Sequence, residues 1–191
     1  MNEKEIIIEE IKSKQITADS FVDVAYILSS KAWIETFKNF KNPGSLSVVS
    51  LLNEHMFVVQ NPSVLIEKYN NPEIMKETSV DLIRLGHKDM IIMSFELIKN
   101  YCKKTKQLNF YELPWFNSAR LIRNSFSHNF KLDFSLKGKY PIPNHELQFS
   151  DKIIKFDQKM NGKDIDFDIF PIKYCSELVE MMKKSLLDDL A

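Results

Sequence analysis

Apolar residues recur at helical spacing through most of this chain, and that periodicity restricts it to a mainly α architecture. The longest stretch runs from about Ser79 to Lys106, where Leu82, Leu85, Ile92, Phe95 and Ile98 step round a helix. Gly86 in its middle weakens that helix or lets a neighbour approach closely. Upstream, Ile6, Ile7, Ile8 and Ile11 predict a short helix. Asp19, with Ser20 beside it, reads as the N-cap of a longer one that carries Phe21, Val24, Ala25, Leu28 and Ala32 towards Phe40. Asn42-Pro43-Gly44 ends that helix, and Ser45 to Gln60 reads as another, stopped by Asn61-Pro62. Pro114 suits the first turn of a helix reaching roughly to His128. Pro171 opens a terminal amphipathic helix with Cys175, Leu178, Val179, Met182 and Leu186 on one side.

Between those last two helices the texture changes. Leu147-Gln148-Phe149, Ile153-Ile154-Lys155-Phe156 and Ile165-Asp166-Phe167-Asp168-Ile169 are short β-like runs, the last alternating strictly. Asn161-Gly162 between two of them signals a hairpin turn. The expected fold is therefore a helical bundle with a small β-hairpin, over about 131–170, inserted before the C-terminal helix. At 191 residues the chain can bury a real core, and one domain over 1–191 is expected.

Charge narrows the function. Lys and Arg together number 26, as do Asp and Glu, so no global basic field draws the protein onto nucleic acid. Any RNA contact must be local. Only three of the basic residues are arginines, and two of them, Arg120 and Arg123, lie within one helical turn. Cys102 and Cys175 are far apart without metal-type spacing, and read as reduced, buried thiols. The charged N-terminus opens no signal peptide, and the apolar runs are too short to span a bilayer. A cytoplasmic protein with no membrane partner is expected.

One segment carries a pattern of chemistry. In Trp115 to Phe130, at about 100° per residue, Arg120, Asn124 and His128 fall one above another on a helix face. Arg123 and Ser127 lie beside them, while Ala119, Ile122 and Phe126 turn towards the core. Such a polar stripe suits phosphoryl transfer within RNA. A neutral His can remove the proton from a ribose 2′-OH or protonate the leaving 5′-oxygen. An Arg can neutralise charge growing on the transition state, and an Asn amide can orient either group. No metal or other cofactor is required by this chemistry, and no Asp/Glu/His cluster with ligand spacing is present in the sequence. Arg123 and His128 are about 140° apart on an ideal helix, so one copy holds an incomplete site. Two copies about a two-fold axis could place both pairs around one phosphate. The plain alternative is a solvated helix face with a structural His.

Arg123-Asn124-Ser125-Phe126-Ser127-His128 resembles the signature of the HEPN superfamily, an Arg followed by a polar residue and then a His near a helix end. Leu121 and Ile122 before the Arg, and Asn129-Phe130 after the His, agree with it. The resemblance implies an antiparallel helical bundle with the motif on the penultimate long helix. It also implies a metal-independent endoribonuclease that cuts as a homodimer, of a kind that serves as toxin, in antiviral defence or in RNA processing. An antitoxin or effector would then be a further partner. By position, Arg123 and His128 would be the catalytic pair and Asn124 the polar residue beside the Arg. Arg120 joins them from geometry as a phosphate contact, with Ser127 on the same stripe. In toxins of this type paired with a nucleotidyltransferase, a Tyr two residues after the His is commonly modified. Here Phe130 holds that position and has no hydroxyl. Many such domains are inactive, so a non-catalytic module binding RNA or a protein is the alternative. A third reading, a helical scaffold without nucleic acid, would be favoured if Arg120 and Arg123 were held in internal ion pairs.

Other features have plain readings. Lys99, Lys103, Lys104 and Lys106 complement a helix C-terminus more simply than they track RNA. His55, His87 and His145 pair with nothing in the sequence, Asp164, Asp166 and Asp168 suit a solvated strand face, and Trp33 and Trp115 suit core anchors.

Overall fold

The structure, a computed structural model, describes residues 2–29, 49–52, 55–58, 71–128, 130–134, 145–165 and 170–188. It is mainly helical, with small antiparallel sheets. Helix α1 spans Glu3–Ser29, α2 Pro72–Thr105, α3 Phe116–Ser127 and α4 Ile172–Leu187. Strands β1 (Val49–Leu52) and β2 (His55–Val58) form one hairpin, and β3 (His145–Gln148) and β4 (Ile153–Phe156) another. The chain divides into two compact units, Met1–Ala18 with Leu85–Ala191, and Asp19–Arg84. No helix among the described residues is long and apolar enough to cross a membrane.

Helix α1 begins at a reciprocal cap. The Glu5 amide donates to Asn2 Oδ1 at 2.9 Å, and the Asn2 amide donates to Glu5 Oε2 at 2.8 Å. The expected short helix at Ile6–Ile11 and separate start at Asp19 are overturned, because one helix runs through both. Within it the Thr17 hydroxyl donates to the Ser13 carbonyl at 2.9 Å, so a residue type that favours turns is satisfied mid-helix. The expected helix over Ser45–Gln60 is also overturned. Its described residues form the β1–β2 ladder, in register from Val49 opposite Val58 to Leu52 opposite His55. Short apolar runs suit either state, and β-branched Val49 and Val58 with aromatic Phe57 favour the strand.

In the second unit Asn71 caps α2, its Oδ1 accepting from the Glu73 amide at 3.0 Å, with Pro72 in the first turn. The helix therefore starts earlier than the expected Ser79. Ser79 itself is buried and donates from its hydroxyl to the Ala25 carbonyl at 3.4 Å.

The core of the first unit joins the start of α1, the later part of α2, and α3, β3, β4 and α4. Ile11, Ile91, Ile98, Ala119, Ile122, Leu178 and Met182 are completely or almost completely buried in it. Helix α2 ends in a Schellman arrangement: Gln107 N–H donates to the Cys102 carbonyl at 2.9 Å and Lys106 N–H to that of Lys103 at 3.4 Å. Lys106 takes the left-handed conformation there, φ +58°. A 3₁₀ turn over Leu108–Glu112 drives Phe110 into the core and leads through Pro114 to Trp115, the N-cap of α3. Trp115 is a core anchor as expected, its indole N–H donating to Ser185 Oγ of α4 at 2.8 Å.

The hairpin before α4 is where the sequence places it, but its turn is not. β3 pairs with β4 from His145 opposite Phe156 to Gln148 opposite Ile153, and the Phe149 amide donates to the Lys152 carbonyl at 2.8 Å to close the turn. Asn161-Gly162 instead ends a 3₁₀ turn (Gln158–Met160) and sends the chain beside the segment that follows α3. Gly162 has φ +76°, its amide donates to the Leu132 carbonyl at 2.7 Å, and Lys131 and Asp164 form an isolated antiparallel bridge. The expected Asn-Gly hairpin is overturned: Asn161 keeps φ −60°, only Gly162 is left-handed, and β4 pairs with β3 rather than with the run that follows. The expected alternation through Ile169 lies largely outside the described residues, as does Trp33. Phe149 stacks on Tyr174 of α4 at 4.4 Å between ring centroids, which seats the hairpin on the last helix.

Candidate functional site

Helix α3 buries Phe116, Ala119, Ile122 and Phe126 and turns its polar stripe outward, as the periodicity predicts. Arg120, Arg123 and Asn124 from that stripe line one cavity of about 230 Å³, together with Glu96 and Lys99 of α2. Its aromatic wall is Phe95, Tyr111 and Phe116. Three cationic side chains thus share a small space with one carboxylate.

That carboxylate organises the cluster. Arg123 Nη2 lies 2.7 Å from Glu96 Oε1, and Lys99 Nζ lies 3.1 Å from Glu96 Oε2. Arg123 Nη1 also donates to Asn124 Oδ1 at 3.0 Å, so the guanidinium is steered by a carboxylate from the neighbouring helix and by its own sequence neighbour. Arg123 and Glu96 are about a quarter exposed, at 29% and 26%, so water weakens but does not abolish their attraction. The Arg123 Nε–H is buried without a hydrogen-bond partner among the described residues.

His128 is placed differently. It is the C-cap of α3, with φ −120° and ψ 59°, and its amide donates to the Asn124 and Ser125 carbonyls, both at 3.0 Å. The residue is exposed and does not line the Arg123 cavity. The backbone reverses directly after it: Lys131 N–H donates to the His128 carbonyl at 3.2 Å, and Phe130 takes φ +60°. A bulky residue rarely occupies that left-handed region. Phe130 holds it while half-buried, its ring 5.3 Å from that of Phe126. The Ser127 hydroxyl is exposed and donates to the Arg123 carbonyl at 3.0 Å, which satisfies it within the helix.

Of the expected site residues, Arg120, Arg123 and Asn124 are therefore brought together, while Ser127 and His128 stand at the helix end outside the cavity. Glu96 and Tyr111 were not foreseen. Glu96 forms an i,i+3 pair with Lys99 that is legible in sequence, but its position opposite Arg123 depends on how α2 packs against α3.

Cys102 and Cys175 are buried free thiols. Burial pushes Cys102 up to about 11 and Cys175 higher still, so neither favours the thiolate that nucleophilic or ligating chemistry needs. Among the described residues no group of three His, Cys, Asp or Glu side chains could hold a metal ion. No protein-family model matches the chain, and no curated protein or solved structure is significantly similar to it.

Proposed function

We propose that this chain is a metal-independent endoribonuclease of the HEPN type, a cytoplasmic protein acting as a homodimer with the motif helices of two copies side by side. The observation that supports the reading is the output of α3. One helix delivers Arg123 and Asn124 to a cation-rich cavity and leaves His128 exposed at its C-cap.

The chemistry follows from those groups. The His128 imidazole removes the proton of a ribose 2′-OH, and the 2′-oxygen attacks the adjacent phosphorus. The bond from phosphorus to the 5′-oxygen breaks, and that oxygen takes up a proton from an imidazolium. The products are a 2′,3′-cyclic phosphate and a 5′-hydroxyl. Arg123 stabilises the charge on the non-bridging oxygens, with Asn124 holding its guanidinium. Arg120 contacts a flanking phosphate. Because His128 does not line the cavity of its own chain, a second copy is called on to complete the site. As a toxin or antiviral-defence effector such an enzyme would have an antitoxin or effector partner, though Phe130 offers no hydroxyl for modification.

A non-catalytic module that binds RNA or a protein is the alternative reading, while one observation, half of the pairing expected of both arginines, favours a helical scaffold without nucleic acid. Glu96 already neutralises Arg123 at 2.7 Å. The test is cleavage of mixed single-stranded RNA with EDTA present, comparing wild type with His128→Ala. Cutting by the wild type alone, with cyclic phosphate ends, is the expected result. No cutting by folded, dimeric wild type would overturn the nuclease and leave the binding module.

A further inference from the structure

We propose that Tyr111 is a stacking platform for one unpaired nucleobase, set beside the phosphate position formed by Lys99, Arg120 and Arg123. The inference rests on the nucleic-acid reading above and assigns that site its substrate form, a single strand with one base turned out. Tyr111 differs from the aromatic residues around it. Phe110 and Phe116 are 0% and 4% exposed, whereas Tyr111 is 44% exposed and lines the cavity that holds the two arginines.

Its ring is also held in place. It packs edge to face on Phe110 (5.3 Å, 73°) and on Phe116 (5.2 Å, 77°). Phe110 anchors the 3₁₀ turn in the core, so an exposed aromatic surface is presented from a rigid base, with little side-chain entropy left to lose on binding. Cations beside an exposed aromatic ring are the two components that single-stranded nucleic acid requires, one for the backbone and one for the base. Size agrees. A cavity of about 230 Å³ has room for one base or one sugar-phosphate. A base can reach Tyr111 only when it is unstacked from its neighbours, as in loops and single strands.

The test uses fluorescence anisotropy with a short single-stranded 2′-O-methyl oligoribonucleotide, which cannot be cut because its 2′-oxygens are blocked, and an abasic oligomer of the same backbone. The wild type is expected to prefer the base-bearing strand by about 5- to 150-fold, the range for stacking of one base. Tyr111→Ala should lose that preference while binding the abasic strand as the wild type does, which also shows the cationic part intact. Tyr111→Trp should restore it. Retention of the preference in Tyr111→Ala, or its absence in the wild type, overturns the platform. Cleavage in the EDTA assay alongside an unchanged preference in Tyr111→Ala would remove the platform and leave the nuclease. A Tyr111-dependent preference without cleavage would do the reverse.

Discussion

Arg123 of α3 and Glu96 of α2 meet at 2.7 Å, and this ion pair sets the resting state of the cavity. The carboxylate lies where a phosphate oxygen would bind the guanidinium. A nucleic acid entering the cavity therefore competes with a resident anion, and Lys99, bonded to the same carboxylate at 3.1 Å, is tied into the competition.

Replacing Glu96 with Gln removes the competing charge while keeping a side chain that can accept from Arg123. Affinity for single-stranded RNA is expected to rise, and the slope of log affinity against log salt to steepen by about 0.7, the increment for one more phosphate contact on a single strand. A salt titration of binding checks this. Weaker binding would mean that Glu96 is needed to hold Arg123 in its working orientation.

The core that carries α3 sets the cost of disturbing the site from below. Ile122 is completely buried beneath the motif. Ile122→Ala should destabilise the fold by about 2–5 kcal/mol through lost burial and the cavity left behind. For a chain of this size that lowers the melting temperature by on the order of 10 °C. The exposed Ser127→Ala should change stability by no more than about 0.5 kcal/mol. Thermal melts followed by circular dichroism separate the two.

The hairpin turn is tied to α4 through Asp151, which accepts from Lys173 Nζ at 2.7 Å and from Tyr174 Oη at 2.8 Å. The Lys173 bond first, then that from Tyr174, holds the Asp151 carboxyl below the usual carboxylate range. A depressed folded-state pKa means stability that is present above the ordinary value, about 4, and lost as the pH falls through the depressed one. The wild type should therefore lose stability more steeply than Asp151→Asn in that acid window, and the difference between the two should be constant above it. Urea melts across acid pH measure the difference.

The two thiols should be inert in the folded protein. With Cys102 pushed up to about 11 and Cys175 higher, both by burial, a thiol reagent at about pH 8 should label neither until denaturant is added, and then both. Rapid labelling of the native protein would contradict the packing of α2 or α4.

Much of the helical frame was legible because its signals are local. Pro114 and Pro171 announce α3 and α4, and the apolar spacing of Ala119, Ile122 and Phe126 marks the buried side of the motif helix. The β3–β4 runs were legible for the same reason. Where two local signals competed, the reading failed. Asp19-Ser20 looks like a cap but lies inside α1, whose true cap at Asn2 depends on the reciprocal bond with Glu5. The Val49–Val58 run suits helix or strand by pattern, and pairing between β1 and β2 resolves it. Asn161-Gly162 is a turn in both accounts, yet its neighbours are chosen by Leu132 and Lys131, far upstream.

The sequence by itself determined which residues form the stripe, because a helix places Arg120, Arg123 and Asn124 on one side whatever packs beneath it. It also determined that charge must act locally, since its acidic and basic residues balance. Only the tertiary structure decided that Glu96 faces Arg123, that Tyr111 stays exposed beside them, and that His128 stands outside the cavity Arg123 lines. Those facts arise from helix packing and chain reversal. Contacts between residues distant in sequence depend on how whole elements bury their apolar faces, and no local pattern encodes that choice.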